Sequence, residues 1–272
     1  MTDLFGDPFG FLQRLILQIP ALLLAVTIHE VSHGLVADRL GDPTARRQGR
    51  LTLNPLPHLD PLGALAFVLA GFGWAKPVPV NAYNLKHPVR DMALVAAAGP
   101  LSNFVVAFLG LLAFALLTQH MDTPFLANPV LGVLRYVYLF NLGLGIFNLI
   151  PLPPLDGGHF LPYLFPRGSW TLLHQLEQYG PVILILLVMT GATRFIMNPL
   201  FAVMNALFVW LATITAGRLM AYHGIAGVEW ASAFAVAVVT AVLVAGGFAA
   251  ARFLGPASPA QVDVHPLSMS ER

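Results

Sequence analysis

The chain has 272 residues, 57% of them hydrophobic and 10% charged, with a formal net charge of +1. Soluble domains carry about 25% charged residues, so this composition excludes an ordinary water-soluble globule and fits a polytopic membrane protein. The near-neutral charge, with no basic cluster interleaved with aromatics, excludes nucleic acid as a partner; the absence of cysteine leaves His, Asp and Glu as the side chains for any metal.

The N-terminal residues carry Asp3 and Asp7 but no basic n-region, so no cleavable signal peptide is expected. The first apolar span runs from about Phe11 to Leu40. Its stretch Pro20–Ile28 reads PALLLAVTI and leads directly into His29-Glu30-Val31-Ser32-His33. Residues four apart lie one above the other on a helix face. The two imidazoles are therefore placed to bind one tetrahedral Zn²⁺, and Glu30 to act on a water there.

Between the first and second spans, residues 40–90 are rich in Gly, Pro and Asn. Gly49–Leu53 and Lys76–Val80 alternate in polarity and are expected to form a small hairpin or edge strands, with Pro77 and Pro79 confining them to an edge. Leu62–Phe72 is apolar but short, the pattern of a re-entrant segment.

The second span is about Asp91–Thr118 and the third about Val130–Leu152, continuing into PLPPLDGGHF. A fourth and fifth are expected at about Pro181–Ile196 and Pro199–Ala216, broken at Asn198-Pro199. The fourth, short and with Arg194 near its end, reads alternatively as one arm of a helical hairpin. A sixth spans about Ala231–Leu254.

Arg39, Arg46, Arg47, Arg50, Lys76, Lys86 and Arg90 crowd the first connection, whereas Gln119–Pro129 has no Lys or Arg. The positive-inside rule then puts the first, third and fifth connections in the cytoplasm and both termini outside. Arg167 and Arg218, in the third and fifth, agree, and Trp74, Trp170 and Trp230 fall near span ends. His29 precedes Arg39 by ten residues, about 15 Å of helix. That sets the motif below the surface, nearer the cytoplasmic side.

A catalytic zinc commonly takes three protein ligands and keeps a fourth position open. Asp156 is the best third ligand, because a carboxylate in an apolar span needs a partner. Pro151, Pro153, Pro154, Gly157 and Gly158 break the helix around it, and irregular backbone at membrane depth belongs where it is buried or lines a wet cavity.

HEVSH on a first span and Asn148-x-x-Pro151-x-x-x-x-Asp156-Gly157 on a third resemble the site-2 protease family of intramembrane zinc metalloproteases. Ala98-Gly99-Pro100-Leu101-Ser102-Asn103 resembles the middle span of that family's core, and the likeness covers roughly residues 11–165. It implies a three-helix catalytic core, one Zn²⁺ on His29, His33 and Asp156, Glu30 as general base, and transmembrane segments of other proteins as substrates. Such a protease releases regulators or clears signal-peptide remnants in a bacterial or archaeal cell membrane. Residues 119–129 and the tail after Gly255 are too short for a PDZ or a CBS pair, so a compact member is expected.

The expected fold is thus an all-α polytopic membrane protein of about six transmembrane helices. Residues 1–165 form the catalytic core with its β or re-entrant element, 166–254 further helices, and 255–272 a disordered tail. A membrane transporter of metal ions or protons, using the same His/Glu/Asp cluster, is the alternative, and the absence of internal repeats counts against it. Asn148 either braces the helix break or contacts substrate. Asn103 and Gly99 read as packing residues in preference to catalytic ones. His159 reads as a span-end polar residue or as support for a ligand; His58 as a turn residue; Asp60 and Asp91 as caps. His87, His120, His174, His223 and His265 read as solvated, and Arg194 and Arg218 as interfacial.

Overall fold

A computed structural model describes residues 6–71, 73–118, 129–164 and 170–215. All belong to the first of two units of the chain, Met1–Gly227. The expected sixth span at Ala231–Leu254, the tail 255–272, and His120, Arg167, Arg218, His223, Trp230 and His265 lie outside the described residues.

Every regular element among the described residues is helical, and five helices are long and apolar enough to cross a membrane. Helix α1, Pro8–Leu40, starts where the Asp7 carboxylate accepts from Gly10 N–H at 2.9 Å with Pro8 at the first position. Its 33 residues give about 50 Å, more than the roughly 30 Å of a hydrocarbon core. A short helix α2, Pro61–Ala70, precedes the long helices α3, Pro88–Thr118, and α4, Pro129–Asn148.

Helices α1, α3 and α4 pack on one another. The remaining two are α5, Trp170–Met189, and α6, Thr193–Thr215, of which α6 closes against α3 and α4. Ala107, Leu111 and Phe114 of α3, Leu131, Tyr138, Leu142 and Ile146 of α4, and Phe208 and Ala212 of α6 form the main core. Leu101, Val105 and Leu109 of α3 and Ile185 and Leu186 of α5 point outward. Apolar side chains on outer faces suit a lipid solvent, and the chain is an integral membrane protein.

Two sequence expectations fail. The break between the fourth and fifth spans is not at Asn198-Pro199 but at Thr190–Ala192, where Gly191 takes φ +71°. Pro181 and Pro199 both sit inside helices. Neighbouring groups in a membrane bundle tolerate the backbone carbonyl that a proline frees, so proline marks a boundary less firmly here than in water.

The hairpin between Gly49–Leu53 and Lys76–Val80 does not form, and no strand occurs among the described residues. A single antiparallel bridge joins Leu59 to Ala75, with Lys76 N–H donating to the His58 carbonyl at 2.9 Å. The prolines remove alternate donors, and the Arg50 guanidinium reaches the Lys76 carbonyl at 2.8 Å in place of a backbone ladder. The bridge brings the two ends of the 59–75 excursion together. Asp60 caps α2 through Leu62 and Gly63 N–H, and Phe67 meets the Phe140 ring of α4 edge-on.

Asp42, fully buried just past α1, holds this region to the helix. Its carboxylate accepts from Thr44 N–H and Oγ1, Asn81 N–H and Asn84 Nδ2 at 2.5–3.1 Å. Burial alone would raise its pKa, but the hydrogen bonds outweigh burial and hold it below the ordinary 3.8. A depressed folded pKa contributes stability that is complete above the unfolded value and is lost as pH falls through the folded one. Asp42→Asn turns an amide toward donors and is expected to cost about 1–3 kcal/mol. Thermal unfolding in detergent should show a constant deficit from pH 5 to 8 that closes below about pH 4; a deficit unchanged at low pH would contradict the ionised role.

Candidate metal centre

His29 and His33 lie one turn apart on α1, both buried, with their Nε2 atoms 3.1 Å apart. The Asp156 carboxylate meets them, Oδ2 at 3.1 Å from His29 Nε2 and Oδ1 at 3.3 Å from His33 Nε2. After α4 ends at Asn148 the chain coils through short turns, Leu152 N–H to Ile150 O, Leu155 N–H to Leu152 O and Gly158 N–H to Leu155 O. Ile150, Leu152 and Leu155 anchor this loop against Leu184 of α5. A side chain at Gly157 would collide with the Leu149 and Ile150 carbonyls, so glycine lets the loop fold back tightly enough to aim Asp156 at α1.

The far ring nitrogens determine what the near ones present. His33 Nδ1 lies 2.7 Å from the Val95 carbonyl of α3, which only accepts, so Nδ1 carries the hydrogen. His29 Nδ1 lies 2.6 Å from Asn103 Oδ1. The Asn103 amide is oriented by Nδ2 donating to the Ala25 carbonyl at 3.0 Å, so its oxygen faces His29 and accepts from Nδ1. In the neutral rings both Nε2 atoms are therefore bare lone pairs. They face each other and a carboxylate whose Oδ2, despite the 3.1 Å separation, is buried without a hydrogen-bond partner.

Three acceptors converging without a proton between them are unfavourable unless a cation lies there. Zinc about 2.0–2.1 Å from each ligand would set tetrahedral neighbours about 3.3 Å apart, close to the 3.1 Å between the two Nε2 atoms and the 3.1 Å from Oδ2 to His29 Nε2. His29, His33 and Asp156 are also the group of His, Asp and Glu among the described residues whose geometry suits a metal ion.

Glu30 is buried beside them, its Oε2 accepting from Val78 N–H at 2.7 Å. Gly99 of α3 lies flat against the imidazoles, where an added Cβ would stand 2.5 Å from His33 Nε2 and 2.6 Å from His29 Cε1. A cavity of about 540 Å³ adjoins the Asp156 loop, lined by Pro88, Val89, Met92, Gly158, His159 and Glu177 among others.

The other sequence candidates divide. Asn148 donates to its own helix at the Leu144 carbonyl, 3.0 Å away. His159 is exposed and lines the cavity. His58 is a fully buried turn residue, Nε2 to the Thr52 carbonyl. Asp60 and Asp91 cap, the latter by accepting from His87 N–H. His87 and His174 are exposed. Asn103, read from sequence as a packing residue, contacts a site imidazole directly, and Asn141, bonded to it at 2.8 Å, was missed. The available signal was an amide inside each of two apolar spans.

Gly99→Ala forces the imidazoles aside. Metal uptake by the purified protein is expected to weaken at least about tenfold with helix content retained; unchanged uptake would show that the rings accommodate the methyl group.

The profile of peptidase family M50 matches residues 119–191. The chain is 40% identical over 182 residues to "Putative zinc metalloprotease YwhC" of Bacillus subtilis, covering 66% of this chain and 83% of that protein. It is 33% identical over 194 residues to "Putative zinc metalloprotease Rip2" of Mycolicibacterium smegmatis, covering 68% of this chain and 71% of that one. No solved structure matches it. With its family profile, two zinc metalloprotease relatives and three ligand-type side chains converging in an apolar helical bundle, the chain belongs to peptidase family M50, the site-2 proteases.

Proposed function

We propose that this chain is an intramembrane zinc endopeptidase in which His29, His33 and Asp156 hold one Zn²⁺ and Glu30 is the general base. The observation that carries the assignment is the convergence of two bare Nε2 lone pairs, 3.1 Å apart, on the Asp156 carboxylate, whose orphaned Oδ2 lies 3.1 Å from His29 and whose Oδ1 lies 3.3 Å from His33. When bound, zinc supplies Lewis-acid polarisation and a water of lowered pKa. Glu30, adjacent in sequence to His29, takes the proton of the attacking water and returns it to the leaving amine nitrogen.

The substrates are transmembrane segments, bound after local unwinding exposes the scissile carbonyl. The extended Lys76–Val80 segment lies against Glu30 and is the place for the unwound stretch to align. Lys76 and Val78 N–H groups are already engaged and Pro77 and Pro79 have none, so that edge offers mainly carbonyls to substrate N–H groups. Asn148, at the end of α4, keeps its side-chain oxygen for substrate. The 540 Å³ cavity beside the Asp156 loop supplies water. The catalytic core is residues 1–165, with 40–90 and the active site nearer the cytoplasmic side and Leu62–Phe72 re-entrant; 166–254 supply the additional spans of a chain of about six.

Purified parent and variants separate this from ion transport. Glu30→Gln is expected to keep near-stoichiometric zinc and to cut a model membrane substrate at least about a hundredfold more slowly. His29→Ala and Asp156→Ala are expected to lose zinc, and a chelator to abolish parent cleavage reversibly. Full cleavage by Glu30→Gln, or zinc retained by both ligand variants, would overturn the assignment.

A further inference from the structure

The polar contacts behind His29 continue beyond Asn103. Asn141 of α4 is fully buried, and its Oδ1 accepts from Asn103 Nδ2 at 2.8 Å. Its own amide is oriented because Nδ2 donates to the Val137 carbonyl at 2.8 Å. Asn103 Nδ2 thus has both hydrogens committed, one to Ala25 O on α1 and one to Asn141 on α4. Two donor contacts fix the plane of an amide, whereas one leaves it free to turn about that bond. With the plane fixed, Asn103 Oδ1 stays 2.6 Å from His29 Nδ1. Each amide is oriented by a backbone carbonyl, Ala25 O for Asn103 and Val137 O for Asn141, so only one arrangement satisfies both amides.

We propose that Asn141 is a positioning residue of the metal centre: through Asn103 it holds His29 in the Nδ1–H tautomer and aims Nε2 at Asp156 and His33. The proposal rests on the reading of His29 as a ligand. Without the Asn141 oxygen, Asn103 turns, its oxygen leaves His29 Nδ1, and the ring loses both its tautomer preference and its aim. Outer hydrogen-bond partners of metal-bound histidines commonly change metal affinity 10–100-fold. The device spans three helices, since Ala25 and His29 belong to α1, Asn103 to α3 and Asn141 to α4.

The test is zinc affinity of the full chain in detergent, measured by competition with a chromophoric chelator and with helix content followed in parallel. Asn103→Leu and Asn141→Leu are expected to weaken zinc binding about tenfold or more. Asn141→Asp, which keeps an oxygen facing Asn103 and as the neutral acid keeps a donor for Val137 O, is expected to stay within a few-fold of the parent. Tyr138→Phe removes another buried hydrogen bond of α4, to Asn205 Oδ1, outside this chain of amides; it is expected to lower stability and leave zinc affinity unchanged. Nitrogen chemical shifts of the zinc-free imidazoles should show the His29 Nδ1–H form in the parent and Asn141→Asp and a mixture in Asn141→Leu. Parent affinity in Asn141→Leu, no recovery in Asn141→Asp, or an equal loss in Tyr138→Phe would overturn the inference. His29→Ala that keeps its zinc would instead overturn the ligand reading beneath it.

Discussion

Two imidazole lone pairs and the two oxygens of one carboxylate meet at 3.1–3.3 Å inside an apolar bundle. This arrangement is the constraint from which the rest of the molecule can be understood. Like-signed acceptors repel, and in a medium that solvates neither charge nor dipole the repulsion is barely screened. The bundle must therefore hold the groups in place from behind. Val95 O and Asn103 Oδ1 take the Nδ1 hydrogens, while the tight turn at Gly157 and the anchors Ile150, Leu152 and Leu155 hold Asp156. Zinc, the metal named for the chain's relatives, would balance the cluster by charge and by size.

Close approach is the second requirement. Helix α3 carries Gly99 against the imidazole rings and Gly110 against Val137 of α4, and Gly145 of α4 receives the Phe104 ring. In lipid, helices gain nothing from hiding apolar area, so association rests on van der Waals contact and buried hydrogen bonds. The small residues supply the contact. Asn103, Asn141 and the Tyr138–Asn205 pair supply the bonds. Of these groups, Gly99 touches the imidazole rings and Asn103 the His29 nitrogen, so part of the helix packing is also contact with the candidate metal centre.

The region 40–90 shows where local pattern misled. Alternation in Gly49–Leu53 and Lys76–Val80 suggested paired strands. What forms is one bridge, a capped ten-residue helix and a buried carboxylate at Asp42 accepting four hydrogen bonds. Prolines at alternate positions leave too few donors for a ladder, and side chains such as Arg50 and Asp42 replace it. The misplaced break at Pro199 has a related cause. Rules calibrated in water treat proline as a terminator, but a bundle tolerates it and Gly191 turns the chain.

What the sequence determined by itself was chemistry and periodicity. The composition required lipid, the spacing of His29 and His33 put two imidazoles on one helix face, and an Asp flanked by Pro and Gly identified the loop whose carboxylate meets them. These are short-range properties, written in neighbouring residues. Tertiary structure alone decided the tautomers of the histidines, the contact of Gly99 with the rings, the link from His29 through Asn103 to Asn141 and the engagement of Glu30 by Val78. Each joins residues 38 to 78 positions apart or more than one helix. Which amide oxygen meets which ring nitrogen depends on the rotation and depth of whole helices, and no local pattern encodes that.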